Sequence, residues 1–295
     1  MTNASKTLVF FGTEEFSLTA LTGLIEAGYS IAAVVTKPDS RKGRGQQVVP
    51  PSAKVVAERH NIPVLQPQKL GDITEYIQAL DHPVGVLVSY GKIIPQSIID
   101  LFEPGIINLH PSLLPLYRGP SPIESAIRNG DDVTGVSIMQ LSAKMDAGPV
   151  YTAKEHPLKG TETRLELYHT LAVVGTNLLL EALPRIISGD LQPVKQDESR
   201  VVYCQLLQKQ DAALDPKNVS AQTAERLIRA HAGFPKTKID IVGIPIIITE
   251  AHVSHEKNTP LDILCQDGAF LSVDTLIAPS GRTMDSAAFL RGYIA

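Results

Sequence analysis

Asn108 and His110 stand two residues apart, where the apolar run Gly105-Ile106-Ile107 gives way to the loop of GIINLHPSLLPLYRGPSPI. On a β-strand, side chains two apart project from the same face, so a carboxamide and an imidazole would lie side by side. An amide N–H can hold an oxygen that becomes negative in a reaction, and an imidazole can do the same while also moving a proton. That is the equipment of an acyl-transfer site. An isolated Asn-x-His pair is more readily a turn cap beside an ordinary histidine, but two features shift the balance. Pro111, Pro115, Pro120 and Pro122 stiffen the segment that follows, as a wall of fixed shape requires. Asp146 sits in the loop SAKMDAGP between two later strand-like runs, where its carboxylate could reach His110, orient the ring and favour a proton on it.

Such a constellation has to be held by a frame. Residues 6–11, 31–35, 62–65, 84–88 and 105–109 are short apolar runs, separated by helical patterns at 14–27, 55–60 and 73–80. Strands apolar on both faces and alternating with amphipathic helices imply a parallel sheet covered on each side. In such sheets ligands bind at the carboxyl ends of the strands. Those ends carry Gly12-Thr13, Thr36-Lys37, Ser89-Tyr90-Gly91 and Asn108-Leu109-His110, so the polar residues gather on one edge. A helix at 123–128, strands at 134–141 and 150–155, and a long helix over 162–188 closed by Gly189 follow. The expected organisation is a first domain over 1–189, a polar link over 190–205 and a smaller β-rich domain over 206–295, a barrel of the OB type.

Bulk properties set limits. The 295 residues are 43% hydrophobic and 20% charged with a formal net charge of -4, so the whole protein is no generic polyanion binder, and an anionic partner must meet a local basic patch. Cys204 and Cys265 are the two cysteines and form no CxxC pair, which suits a reducing cytoplasm. The apolar run near the N-terminus is too short for a signal peptide, and no stretch is expected to approach membrane-spanning length.

Other motifs are weaker. Arg41-Lys42-Gly43-Arg44-Gly45 lacks the GK[ST] ending of a phosphate-binding loop. Gly12-Thr13 lacks the GxGxxG spacing of a dinucleotide site and is read as a strand-to-helix turn with Thr13 as cap. His252 and His255 lack partners for a zinc site. Arg118 is equally open to a structural and a functional reading.

The stretch NLHPSLLPLYRGPSPI with the Asp146 loop resembles the folate-dependent formyltransferases. FFGTEEF at 10–16, TKPDSRKGRGQQVVPPSAK at 36–54, VSYGKIIP at 88–95 and TGVSIMQLSAKMDAG at 134–148 are similar to the branch of that family that formylates methionyl-tRNA. The resemblance is dense to about residue 150 and thinner beyond. It implies a Rossmann-like α/β catalytic domain followed by a tRNA-binding barrel, with Asn108, His110 and Asp146 as catalytic residues. It implies 10-formyltetrahydrofolate as co-substrate without a metal, bound by Ser112, Leu113, Leu114 and Pro115 and by the backbone around Tyr90, Gly91, Ile93 and Ile94. The acceptor would be initiator methionyl-tRNA, touched by Arg44 with Arg41 and Lys42. The enzyme would act in the cytoplasm, as a monomer and without a membrane.

Two other readings stay open. One is a formyltransferase for an amino-sugar nucleotide, with the same triad and folate. The other is a non-catalytic folate- or RNA-binding protein. From 206 to 295, Lys and Arg do not outnumber Asp and Glu, whereas phosphate affinity grows with the number of charges paired.

Overall fold

A computed structural model describes residues 6–42 and 45–294. The chain forms two compact units. One comprises the segment up to Pro120, Gly135–His156 and Tyr168–Tyr203; the other comprises Ser121–Thr134, Pro157–Leu167 and the chain from Cys204 onward.

The chain order opens with β1 (Leu8–Gly12), α1 (Glu15–Glu26), β2 (Ile31–Val35), β3 (Ser40–Lys42), β4 (Gln47–Val49), α2 (Ser52–Arg59) and β5 (Val64–Leu65). It continues with α3 (Thr74–Gln78), β6 (Val84–Val88), α4 (Gln96–Ile99), β7 (Ile106–His110), α5 (Pro122–Asn129), β8 (Val133–Gln140), β9 (Val150–Pro157) and α6 (Arg164–Ile187). Seven of these strands form one sheet in the order β5-β2-β1-β6-β7-β8-β9. Neighbours from β5 to β7 run parallel, as their unbroken apolar character requires. β8 turns back antiparallel to β7, with Asn108 opposite Met139 and His110 opposite Ser137. On one side of the sheet Phe11 lies edge-on to both Tyr90 and Phe102, with ring centroids 5.7 Å apart in each pair. Such pairs add about 0.5–1.5 kcal/mol beyond the area they bury.

Helix α1 begins differently from the sequence expectation. Its N-cap is Glu14, without a side-chain cap, and the Thr13 hydroxyl instead donates to the Tyr90 carbonyl at 3.0 Å. Thr13 therefore ties the end of β1 to the loop after β6. Helix α6 also corrects an expectation. Its most apolar stretch has a mean hydropathy of 1.4, long and apolar enough by length and composition to cross a membrane. Half of that stretch is buried inside the structure, as in the core helix of a globular protein.

The second unit contains α5 and α7 (Ala221–Ala230), which pack together, and an antiparallel sheet. Its strands are β10 (Thr237–Ile241), β11 (Ile244–Ser254), β12 (Asp262–Leu264), β13 (Phe270–Ile277) and β14 (Thr283–Asp285), followed by the short helix α8 (Ser286–Phe289). The strand order is β10-β11-β13-β12, and β14 pairs with β13 beyond β12. α7 starts at Ser220, whose hydroxyl accepts from Thr223 N. It lays Ala221, Ala224 and Ile228 on the sheet side, in one core with Ile246, Leu271 and Phe289. Gly130 closes α5 in the left-handed region, with φ 71°.

Candidate active site

β7 brings Asn108 and His110 to the carboxyl edge of the sheet, and both are buried, at 4% and 5% exposure. The Asn108 amide is not among the buried side-chain atoms left without a partner, so it sits at the strand end without a desolvation penalty of its own. The two nitrogens of His110 each face an oxygen: Nε2 lies 3.0 Å from the Tyr117 carbonyl and Nδ1 lies 3.8 Å from Asp146 Oδ2. The structure therefore brings together the three residues singled out in sequence. Asp146 itself has φ 46°, a region that a residue with a Cβ enters only when held there. Its Oδ2 accepts the Gly119 N–H at 2.8 Å.

The loop after β7 is built around one hydroxyl. Ser137, on β8 opposite His110, donates to the Ser112 carbonyl at 2.7 Å and accepts the Leu114 N–H at 3.1 Å. The Ser112 hydroxyl then donates to the Leu116 carbonyl at 2.6 Å, and the Leu114–Pro115 peptide is cis. Residues 112–116 thus have a fixed course. Nothing in the sequence marks Ser137 beyond its place in the motif TGVSIMQ, because its partners are more than twenty residues away.

The remaining donor-side residues line the edge unevenly. Tyr90 and Ile94 point into the core, at 0% and 4% exposure, whereas Ile93 is 77% exposed. The Tyr90 hydroxyl is buried without a partner among the described residues, and burial pushes its pKa up to about 12. The backbone at this strand end is in the left-handed region at Ser89, with φ 47°, and at Gly91, with φ 71°. The Lys37 ammonium lies so close over Gly91 that a Cβ there would meet it.

β3 and β4 form a two-stranded hairpin over Ser40–Lys42 and Gln47–Val49. Its base is anchored: the Lys54 ammonium reaches Asp39 at 2.9 Å and Gln66 at 3.0 Å, and Gln66 donates to the Lys37 carbonyl at 2.8 Å. The Lys54 contact holds the Asp39 carboxyl below its ordinary pKa. Arg41 is exposed on β3, opposite Val48, and the backbone of Lys42 pairs with Gln47. Arg44 lies outside the described residues.

Arg118 is almost fully buried, at 1% exposure. It pairs with Glu198 at 2.7 Å and Gln196 at 3.0 Å. The Glu198 carboxylate raises the guanidinium pKa, and Glu198 is itself lowered by Arg118. Among the described residues, no group of three or more His, Cys, Asp or Glu is placed to hold a metal ion. His252 pairs with Asp274 at 2.9 Å.

Residues 5–183 match the formyl transferase family. The chain belongs to that family. Among the relatives of this formyl transferase is the methionyl-tRNA formyltransferase of Chloroflexus aurantiacus, 39% identical over 254 residues, or 85% of this chain and 82% of that protein. The enzyme of the same name from Geobacter metallireducens is 35% identical over 301 residues, covering 98% of this chain and 96% of the other. Among solved structures, HypX from Aquifex aeolicus in complex with tetrahydrofolic acid superposes with a TM-score of 0.66. It is 18% identical, with 97% of this formyl transferase and 46% of HypX covered. The N-formyltransferase of Helicobacter canadensis, in complex with folinic acid and dTDP-3-aminofucose, gives a TM-score of 0.69 at 18% identity, covering 91% and 98%. At such identity these two structures share the fold.

Proposed function

We propose that this protein transfers the formyl group of 10-formyltetrahydrofolate to the α-amino group of methionine on initiator methionyl-tRNA. The observation that carries the chemistry is the buried Asn108 on the same strand end as His110, which faces Asp146. The neutral amine attacks the formyl carbon. As the new C–N bond forms, the formyl oxygen takes up negative charge, and the Asn108 N–H and protonated His110 stabilise it. Asp146 orients His110 and helps collect the proton that the amine loses. Collapse of the tetrahedral species breaks the bond from the formyl carbon to the folate nitrogen, which leaves protonated as tetrahydrofolate. A single oxyanion donor is worth about 3 kcal/mol of barrier, and general acid–base help roughly 10²- to 10⁴-fold.

Ser112, Leu113, Leu114 and Pro115, with the backbone of 89–94, form the folate wall in this reading. The fixed course of 112–116 and the inward-facing Tyr90 and Ile94 support a wall that binds through main-chain groups. Arg41, Lys42 and Arg44, from the RKGRG stretch of the sequence, meet the tRNA backbone. Residues 1–189, with the segment 194–203 that is tied onto them, serve catalysis, and 206–295 serve RNA binding. The protein acts as a monomer in the cytoplasm, where the buried thiols of Cys204 and Cys265 stay reduced.

The acceptor rests on similarity to methionyl-tRNA formyltransferases at 35–39% identity over most of the chain. The deciding experiment measures transfer from 10-formyltetrahydrofolate to methionine-charged initiator tRNA beside a panel of amino-sugar nucleotides. Formylated methionyl-tRNA is the expected product. Transfer to a sugar alone would overturn the acceptor while keeping the triad, and folate binding without transfer to any acceptor would make this a binding protein.

A further inference from the structure

Residues 194–203 read in sequence as part of a polar link, yet they are tied down at both ends. Val194 exchanges two backbone hydrogen bonds with Val150, each 2.8 Å. Val202 accepts the Arg118 N–H at 2.9 Å and donates to the Pro115 carbonyl at 3.3 Å. Between these ties, Gln196 reaches into the loop after β8. Its Nε2 donates to the Asp146 carbonyl at 2.8 Å and to the Gly148 carbonyl at 2.7 Å, while its Oε1 accepts from Arg118 Nε at 3.0 Å. Both amide N–H bonds are therefore spent on one loop, and the amide oxygen on one buried cation.

The loop it grips needs holding. Asp146 keeps its positive φ, a conformation that persists when the surroundings over-determine it. Gly148 runs so close to Gln140 that a Cβ would overlap the Gln140 carbonyl oxygen. The turn 117–119 meets the same network three times: the Tyr117 carbonyl faces His110, the Arg118 side chain holds Gln196, and the Gly119 N–H holds the Asp146 carboxylate.

We propose that Gln196 is a positioning residue of the active site, setting the backbone of the Asp146 loop and thereby the carboxylate that faces His110. Arg118 holds Gln196 in register, which gives a buried arginine a role that needs no contact with substrate. This inference rests on the reading of Asp146 as the catalytic carboxylate. A segment that merely closed the fold would influence stability and leave turnover uncoupled from Asp146.

A double-mutant cycle separates the two. Gln196→Glu keeps the length and an oxygen for Arg118 but has no N–H for the two carbonyls. Misplacement of a catalytic group by about 1 Å lowers turnover by roughly 10²-fold, so kcat should fall about 10- to 100-fold. Both KM values should stay close to those of the parent, while the melting temperature falls modestly because two carbonyls lose their donor. In an Asp146→Asn background the same substitution should have almost no further effect, because residues that act as a unit are not additive. Gln196→Met, neutral and of similar length, should behave the same way. Losses that multiply with Asp146→Asn, or that appear in KM with kcat intact, would overturn the proposal, as would a Gln196→Met chain that does not fold. If Asp146→Asn alone turns over like the parent, the catalytic reading of Asp146 falls and this inference falls with it.

Discussion

His110 Nδ1 stands 3.8 Å from Asp146 Oδ2, while the opposite ring nitrogen lies 3.0 Å from the Tyr117 carbonyl. The Tyr117 contact is of hydrogen-bond length and orients the ring, while the approach to Asp146 is too long for a hydrogen bond.

Substituting Asn108→Ala or His110→Ala is expected to lower kcat about 100-fold or more, with the affinity for the formyl donor nearly intact. Single-turnover rates together with equilibrium binding of a folate analogue check this. A variant as active as the parent would remove that residue from the oxyanion site.

The common strand end of Asn108 and His110 is legible in the sequence because it depends on local rules. Period-two geometry aligns Asn108 with His110, and unbroken apolar runs announce a covered parallel sheet. Ser137 and Gln196 are not legible, since each acts on main-chain atoms far away in sequence: Ser112 and Leu114 for one, Asp146 and Gly148 for the other. No side-chain pattern records a partner that is a carbonyl. Thr13 misled for a related reason, because a hydroxyl at a strand-to-helix turn can cap the helix or reach sideways, and here Tyr90 offers the better acceptor.

Ser137→Ala removes one hydroxyl and leaves two buried backbone groups short of a partner. The expected destabilisation is about 1–3 kcal/mol, read by chemical denaturation. A raised KM for the formyl donor should accompany it, with a smaller change for the acceptor. An unchanged donor KM would show that the course of 112–116 is set without this hydroxyl.

Tyr90→Phe should act in the opposite direction. The phenol is buried without a partner among the described residues, so its removal relieves a desolvated polar group and is expected to stabilise the fold by about 1 kcal/mol. Because the side chain lies in the core with Phe11, kcat and the folate KM should stay as they were. A fall in folate affinity would place the hydroxyl in the site.

His231 ties stability to pH. Burial lowers its pKa, the nearby Asp211 opposes the shift and Arg128 adds to it; Nδ1 lies 3.3 Å from the Thr237 hydroxyl. The unfolded chain takes up its proton first, near pH ~6.5, the ordinary value for histidine. Stability is therefore fully present above that pH and is lost as the pH falls through the lower folded-state value. Melting temperatures taken from pH 7.5 downward, on a scale of about one unit to either side of that ordinary value, should drop more in the parent than in His231→Gln. Parallel curves would remove His231 as the source.

The second compact unit is assembled from three separate stretches of chain, and this has a consequence for anyone who wishes to recombine it. Helix α5, encoded between the strands that carry His110 and Ser137, packs on α7, encoded almost a hundred residues later. Arg226 fastens the pair by donating to the Asn129 carbonyl at 3.3 Å. A gene cut once between the two halves does not yield a modular cassette: the upstream product keeps α5 and loses the helix it was shaped to meet. Grafting a different unit onto this scaffold would require the transplant to bring its own partner for α5, or to redesign that helix for water.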